Sequence, residues 1–357
     1  MVEHESPSRD KTALDTLARA VAARFEAIGG AVEVLGNARG GDHVRARFFE
    51  AIASGPPALL LGHFDTVWPV GTLDAMPFRV DSGKAFGPGS FDMKASLVIA
   101  EFALGAIRDL GLVPPRPVEL LITSDEEIGS PTSRAWIEER AGLAAFALVL
   151  EPPLPDGSLK TARKGVGYFE MMIEGRSAHA GVEPEKGISA ITELAHQILG
   201  LHALNDVEAG VTVNVGVVEG GTTSNVIAGR ASARIDVRVV TAEQAAIVDA
   251  TIRGSKARTP GASVRVVGGF NRPPMVRTPA VTDLFERARA IGRTVGLELG
   301  EGSTGGGSDG NFTAAVGLPT IDGLGARGAG AHAPHEQVEL DSLPERAALL
   351  ASLLLHL

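Results

Sequence analysis

The sequence predicts an α/β fold: a doubly wound, mostly parallel sheet into which a smaller, ferredoxin-like α+β domain is inserted. Three observations predict it. Short apolar runs alternate with helical periods up to residue 164, one-sided alternation begins at residue 165, and the first pattern resumes after residue 272. Apolar runs suit parallel strands buried on both faces, whereas one-sided alternation suits an antiparallel sheet.

The first 164 residues are predicted to form alternating strands and helices. Helical spacing is found at residues 13–28 and 93–110, and strands are predicted at residues 32–35, 44–49, 58–61, 118–123 and 145–150. This alternation is typical of a doubly wound sheet.

The middle of the chain predicts a β-α-β-β-α-β unit. Alternating runs lie at residues 166–174, 211–218, 231–239 and 263–267, and helical periods lie at residues 187–201 and 242–253. A helix, a short strand and a last helix are then predicted at residues 282–296, 319–321 and 344–355. Residues 1–164 and 273–357 are therefore predicted to form one domain, and residues 165–272 a second, inserted one.

Composition excludes several classes of function. A net charge of −10 disfavours nucleic acid and anionic membranes as partners, and no cysteine is present for a disulfide or a thiolate zinc site. Residues 1–9 are polar and no run of about 18 apolar residues occurs, so neither a secretory signal nor a membrane span is expected. We expect a soluble, cytoplasmic protein.

A histidine follows the apolar run at residues 58–61, where a parallel strand presents side chains to a crevice. In Gly62-His63-Phe64-Asp65, His63 is a candidate metal ligand, and Asp65 could accept the second imidazole N–H. A turn that contains a hydrogen-bonded histidine is the alternative.

Acidic residues follow two further apolar runs. Asp125, Glu126 and Glu127 come directly after residues 118–123, and Glu151 follows residues 145–150. Adjacent buried carboxylates repel unless cations neutralise them, and one can hold a metal while the next takes a proton. A solvated acidic loop and a capped turn are the alternatives.

Two more candidate ligands lie in glycine-rich stretches. Asp92 follows Gly87-Pro88-Gly89 at a predicted helix start, where it could cap the helix or bridge two cations, and His332 lies in a late glycine-rich loop. Several candidate ligands thus converge on one edge of the predicted sheet, which indicates a metal site.

Five segments together resemble those of the M20 family of zinc metallopeptidases, and most closely its glutamate carboxypeptidase branch. They are Gly62-His63-Phe64-Asp65-Thr66-Val67, Gly87-Pro88-Gly89 to Asp92-Met93-Lys94, Asp125-Glu126-Glu127 with Gly129-Ser130, Glu151-Pro152, and Gly330-Ala331-His332 with Glu336. The resemblance implies two Zn²⁺ ions per subunit, which Mn²⁺ or Co²⁺ could replace.

Roles for the residues follow from the resemblance. His63 and Glu151 would bind one ion, Glu127 and His332 the other, and Asp92 both. Glu126 would be the general base and acid, and Asp65 would orient His63. The peptide between Asp92 and Met93 would be cis.

The inserted domain carries further matching segments. His179, within Gly175-Arg176-Ser177-Ala178-His179-Ala180-Gly181, would reach the active site of a second subunit, which implies a homodimer formed through residues 165–272. The residues implied to hold the substrate carboxylate are Asn225, Arg238, Arg272, Gly306 and Gly307. From the residues alone, a surface turn for His179, a hairpin loop for Asn225 and an ion pair for Arg238 are the alternatives.

The implied function is that of a dinuclear zinc amidohydrolase or carboxypeptidase. The substrate would be a small molecule, an N-acyl amino acid or a peptide with a C-terminal Glu-like or Asp-like residue. An acetylornithine or succinyl-diaminopimelate type of deacylase and a broad aminoacylase are alternatives. A catalytically silent, metal-dependent binding protein is the alternative outside enzymes.

Overall fold

The computed structural model describes all of residues 1–357. The strands are β1 (Ala31–Leu35), β2 (His43–Phe48), β3 (Ala58–His63), β4 (Arg79–Asp81), β5 (Lys84–Phe86), β6 (Val118–Thr123), β7 (Phe146–Val149), β8 (Leu159–Arg163), β9 (Gly165–Glu174), β10 (Thr212–Gly220), β11 (Arg230–Val239), β12 (Ser263–Arg272), β13 (Glu301–Thr304), β14 (Thr320–Ile321), β15 (Gly328–Ala329) and β16 (Gln337–Glu339). The helices are α1 (Lys11–Ala27), α2 (Thr72–Ala75), α3 (Ala95–Asp109), α4 (Arg134–Ala141), α5 (Ala190–His202), α6 (Ala242–Arg253), α7 (Pro279–Thr294), α8 (Gly310–Ala315) and α9 (Ser342–His356).

The chain divides into two compact units. The first comprises Met1–Ala162, Met275–Thr304 and Ser308–Leu357, and the second comprises Arg163–Pro274 together with Gly305–Gly307. No helix in either unit is both long enough and apolar enough to cross a membrane.

The first unit is built on a six-stranded sheet with the strand order β1-β2-β6-β3-β7-β14. Strands β6, β3, β7 and β14 run parallel, and β1 and β2 add an antiparallel edge. The predicted α/β class with a mostly parallel sheet is thus confirmed. The register pairs His63 with Thr123, so the carboxyl ends of β3 and β6 lie level.

Both faces of this sheet are buried, as the apolar runs predict. In β3, Leu60 belongs to a large core with α1, α3 and α9, whereas Leu59 and Leu61 pack on the opposite side with α4 and α8. Burial on two sides explains why these strands are apolar throughout instead of alternating.

A small second sheet in this unit, with the order β15-β16-β5-β4, is absent from the sequence prediction. Its strands are only two or three residues long, too short to show a period in the sequence. Gly328 pairs with Val338 and Ala329 with Gln337, so the intervening loop, residues 330–336, is held at both ends. This loop carries His332 and Glu336.

The second unit is an antiparallel sheet with the order β10-β11-β9-β12, accompanied by α5 and α6. Its element order is the predicted β-α-β-β-α-β. Alternation is one-sided: Met171 and Ile173 are buried in the core with residues of α5 and α6, whereas Tyr168 is 54% exposed. The last strand runs to Arg272, beyond the predicted residues 263–267, because its pairing with β9 continues to Arg272 opposite Val166.

Candidate metal centre

Three of the predicted ligands lie at the carboxyl ends of neighbouring parallel strands. His63 is the last residue of β3, Glu127 lies in the short helical turn after β6, and Glu151 follows β7. Because β3 lies between β6 and β7, the three strand ends meet at one edge of the sheet.

The other two predicted ligands come from loops. Asp92 lies in the helical turn Ser90–Lys94 that precedes α3, and the peptide between Asp92 and Met93 is cis, as the resemblance implied. His332 lies in the loop between β15 and β16 with a left-handed backbone, φ 61°.

The structure brings these five residues together as two donor groups that share Asp92. One group is His63, Asp92 and Glu151, the other is Asp92, Glu127 and His332, and the ligand atoms within each group lie within 4.8 Å of one another. His63 Nε2 lies 3.3 Å from Asp92 Oδ1, and His332 Nε2 lies 3.3 Å from Asp92 Oδ2. Asp92 therefore offers one carboxylate oxygen to each group.

Two buried polar atoms show that these residues fit cations. His63 is only 1% exposed, and both His63 Nε2 and Asp92 Oδ1 are buried without a hydrogen-bond partner. Buried polar atoms normally have a partner, and an imidazole nitrogen beside carboxylate oxygens is a donor set that zinc and similar divalent ions accept. The first group therefore fits such an ion, and the second group offers the same kinds of donor atom.

Asp65 holds the acidic turn, residues 124–127, beside these groups. Its carboxylate is fully buried and accepts hydrogen bonds from the backbone N–H of Glu126 (3.1 Å) and of Glu127 (3.2 Å) and from Ser8 Oγ (2.7 Å). His63 Nδ1 lies 3.4 Å from Asp65 Oδ1 and 3.1 Å from the Asp65 carbonyl oxygen. Asp65 thus faces His63 and also fixes the backbone of both glutamates.

Glu336 holds the loop that carries Asp92, a role that its place in the motif with His332 did not predict. Its carboxylate is 1% exposed and accepts the backbone N–H groups of Gly89 (2.9 Å), Phe91 (2.9 Å) and Asp92 (3.1 Å), together with Trp68 Nε1–H (2.9 Å). Burial raises the pKa of Glu336, although the hydrogen bonds from these donors act to lower it. An acid four residues after His332 was the only sequence signal.

Charge within the two donor groups is balanced by the histidines. Although burial opposes a charge on His63, the adjacent carboxylates of Asp65, Asp92 and Glu151 raise its pKa well above the ordinary value. Hydrogen bonds with Asp92 and Glu127 raise the pKa of His332 to about 10. Without a metal ion, the raised pKa of each imidazole favours its protonated form.

Metal binding is therefore expected to release protons at pH 7, because metal ligands must be deprotonated and burial also raises the pKa of Glu127 to about 7. The sign follows from the raised pKa values of His63 and His332: protons compete with the metal below these values, so metal affinity should fall as the pH falls. Calorimetric titration of the metal-free protein with zinc in buffers of different ionisation enthalpy measures this release. Heats that do not depend on the buffer would contradict it.

In the second unit, the two arginines predicted to bind a carboxylate, Arg238 and Arg272, both contact the short segment Gly305–Gly307. Arg238 Nη1 donates to the carbonyl of Gly305 at 3.2 Å, while its Nε and Nη2 pair with Asp236 at 2.8 and 2.7 Å, the ion pair considered above. Arg272 is buried, and a Cβ at Gly307 would lie 2.6 Å from Arg272 Cδ. Only glycine leaves room for that side chain.

Arg163 joins this segment and was missed by the sequence analysis. It is buried at the end of β8, and its Nη1 donates to the carbonyls of Gly306 and Gly307, each at 3.1 Å. Three arginines thus contact the segment Gly305–Gly307. A lone arginine at a strand end gives no signal that sequence reasoning could have used.

His179 and Asn225 lie on adjacent loops of the second unit. His179 forms an isolated bridge with Val226, and the backbone N–H of Ala180 donates to the Asn225 carbonyl at 2.9 Å. His179 Nδ1 accepts the backbone N–H of Gly181 at 3.1 Å. A neutral His179 therefore carries its proton on Nε2, where it is a hydrogen-bond donor.

An α/β sheet with two imidazole–carboxylate groups at its strand ends is typical of metal-dependent hydrolases. Residues 59–356 match peptidase family M20/M25/M40, and the chain belongs to this metal-dependent family of hydrolases that act on peptide and amide bonds.

Two relatives illustrate the range of the family. Carboxypeptidase G2 of Pseudomonas sp. (strain RS-16) is 33% identical over 308 residues, which cover 85% of this chain and 74% of the relative. An acetylornithine deacetylase of Proteus mirabilis (strain HI4320) is 29% identical over 272 residues, which cover 67% of each chain.

Solved structures show the same fold. The aminopeptidase PepT from Bacillus cereus ATCC 10987 matches with a TM-score of 0.82 at 23% identity, over 99% of this chain and 95% of that one. The YXEP protein of Bacillus subtilis, described as a dinuclear metal binding peptidase from the M20 family, matches with a TM-score of 0.70 at 15% identity, over 99% and 94%.

Proposed function

We propose that this chain is a dinuclear zinc amidohydrolase that removes a Glu-like or Asp-like residue from an N-acyl amino acid or from a peptide C-terminus. The observation that carries the proposal is the pair of donor groups sharing Asp92, next to a glutamate, Glu126, that belongs to neither group. His63 and Glu151 complete one site, and Glu127 and His332 the other.

Held by these five residues, two zinc ions, or manganese or cobalt in their place, would supply Lewis acidity toward a water molecule and the amide carbonyl. Glu126 takes a proton from the attacking water while the oxygen of that water forms a bond to the carbonyl carbon. The carbon–nitrogen bond then breaks, and Glu126 passes the proton to the leaving nitrogen. Asp65 keeps Glu126 in place through the backbone hydrogen bond at 3.1 Å.

The leaving residue is proposed to be acidic because the second unit gathers positive charge. Arg163, Arg238 and Arg272 all contact the segment Gly305–Gly307. Guanidinium groups bind carboxylates with two parallel hydrogen bonds, so the cluster suits a carboxylate of the substrate, even though Arg238 is itself paired with Asp236. Asn225 is proposed to add a further hydrogen bond.

His179 is proposed to act on the active site of a second subunit, in a homodimer formed through residues 165–272. Its neutral form carries the donor at Nε2, because Nδ1 accepts the N–H of Gly181. That donor would stabilise the negative charge that develops on the carbonyl oxygen. A monomer with full activity would contradict this assignment.

The second candidate is a deacylase for acetylornithine or similar diamino acids, which the acetylornithine deacetylase relative favours. A panel of N-acyl amino acids separates the two. The zinc-loaded protein should cleave N-acyl-glutamate or N-acyl-aspartate with a higher kcat/KM than N-acetylornithine or aliphatic N-acyl amino acids. The α-methyl ester of the best substrate should be cleaved poorly.

Other outcomes of the panel decide against the proposal. A preference for N-acetylornithine would assign the deacylase, and a uniform response would assign a broad aminoacylase. Protein that binds two zinc ions yet cleaves nothing in the panel would support a binding protein without catalysis.

A further inference from the structure

Beside the acidic turn, a chain of part-buried hydrogen bonds links His43 to Asp125 through Thr132. His43, the first residue of β2, is 5% exposed, and its ring stacks on Trp136 with the ring centroids 5.9 Å apart. His43 Nε2 lies 3.0 Å from Thr132 Oγ1, which in turn donates to Asp125 Oδ2 at 2.6 Å. None of these residues belongs to either metal-donor group.

The position of each proton in this chain of hydrogen bonds follows from which atoms can only accept. A carboxylate only accepts, so the single hydroxyl proton of Thr132 is donated to Asp125. Thr132 Oγ1 can then only accept from His43, as it accepts from Asn37 Nδ2 at 2.8 Å. His43 Nε2 therefore carries a proton, and Nδ1 accepts the backbone N–H of Ser124 at 3.2 Å.

A neutral His43 fits this arrangement: its Nδ1 accepts the Ser124 backbone N–H and lies 3.1 Å from Ser124 Oγ, a hydroxyl that can donate to Nδ1 or to the Gly41 carbonyl. Burial lowers the pKa of His43 and favours the neutral form, against carboxylates at Asp125, Asp309, Asp65 and Asp42.

Asp125 is a second anchor of the acidic turn, besides Asp65. Besides Thr132 Oγ1, its carboxylate accepts the Thr132 N–H (2.7 Å), the Ser133 N–H (3.3 Å) and Ser133 Oγ (2.6 Å). Asp65 holds the next two backbone N–H groups, those of Glu126 and Glu127. Glu126 is thus placed between two anchored points of the backbone.

We propose that His43 and Thr132 are positioning residues for the base Glu126 and act on it through Asp125. The inference rests on the proposed function, since it presupposes that Glu126 transfers the proton. It also gives a role to Asp125. The other two acids of the turn already have one, Glu126 as the base and Glu127 as a metal ligand.

The central test is Thr132→Val, which removes the hydroxyl at nearly constant volume. With the best substrate of the panel above, kcat should fall by about 10- to 100-fold, the usual effect of disturbing a partner behind an active-site group. KM and the zinc content should stay within about twofold, since no metal ligand is touched. Thr132→Ser keeps the hydroxyl and should recover most of the lost kcat.

Two further variants control this measurement. Thr313→Val removes a different threonine hydroxyl, a fully buried one that is hydrogen-bonded to Gly310 and Thr320 in the same unit, and it should leave kcat near the wild-type value. His43→Leu should lower kcat as Thr132→Val does, and the double variant should lose little more than the larger single loss, because both act through one chain.

Several results would overturn the inference. Wild-type kcat in Thr132→Val, an equal loss in Thr132→Ser, or a loss that follows the zinc content would each do so. A ¹H–¹⁵N NMR spectrum of the zinc-loaded wild-type protein, which needs no variant, should show His43 protonated at Nε2, and protonation at Nδ1 would overturn the chain. Full activity of Glu126→Gln would instead overturn the assignment of the base.

Discussion

Replacement of Glu126 by glutamine should lower kcat by about 100- to 10 000-fold, the range attributed to general acid–base catalysis, while both zinc ions remain bound. Glutamine has nearly the same shape but cannot take a proton from water. Glu126 is absent from both donor groups, so metal binding should be unaffected. Initial rates with the best substrate and zinc content by mass spectrometry give the two readouts.

The matched control is the same substitution one residue later. Glu127 lies 3.1 Å from His332 Nε2 and belongs to a donor group, so Glu127→Gln should lose activity together with bound zinc. A Glu126→Gln protein with wild-type kcat would show that another group transfers the proton.

Replacement of Asp92 by alanine should reduce activity to that of chelator-treated wild-type protein and weaken binding of both ions. The reason is geometric: each of the two Asp92 oxygens lies 3.3 Å from the Nε2 atom of a different histidine, one from His63 and the other from His332. Removing this one side chain therefore removes a ligand from both groups.

Glu151→Ala is the matched control, because Glu151 belongs to one donor group only. It should cost about one zinc ion per chain after dialysis, whereas Asp92→Ala should cost about two. Equal zinc retention by Asp92→Ala and wild type would contradict the shared role of Asp92.

The fold class could be predicted because its signals are local. Apolar runs such as residues 58–61 predict strands buried on both faces, and one-sided alternation after residue 165 predicts the second sheet. The structure confirms both patterns. The helix predicted from residue 13 begins at Lys11 because Asp10 accepts the N–H of Ala13 at 3.0 Å, a cap that apolar spacing does not reveal.

The site residues that could be predicted from the sequence are those that lie at the ends of strands. Residues directly after apolar runs, such as His63 and Glu151, could be placed on one sheet edge from the sequence. His332 lies in a loop held by strands of two and three residues, so only the family resemblance indicated its place.

The supporting residues could not be predicted because their contacts are long-range. Glu336 accepts hydrogen bonds from the N–H groups of Gly89, Phe91 and Asp92, which lie more than 240 positions earlier in the sequence. His43 and Thr132, which are also hydrogen-bonded, are 89 positions apart. No periodic pattern links such positions. Their hydrogen bonds arise only once the strands and loops have packed.

The central claim, that five residues hold two metal ions bridged by Asp92, is tested most directly by anomalous diffraction at the zinc edge from crystals of the zinc-loaded protein. Two peaks about 3.5–4 Å apart are expected, the spacing of two-metal hydrolytic sites. One should lie against His63 and Glu151, the other against Glu127 and His332, with Asp92 between them. A single peak, or peaks away from Asp92, would contradict the account.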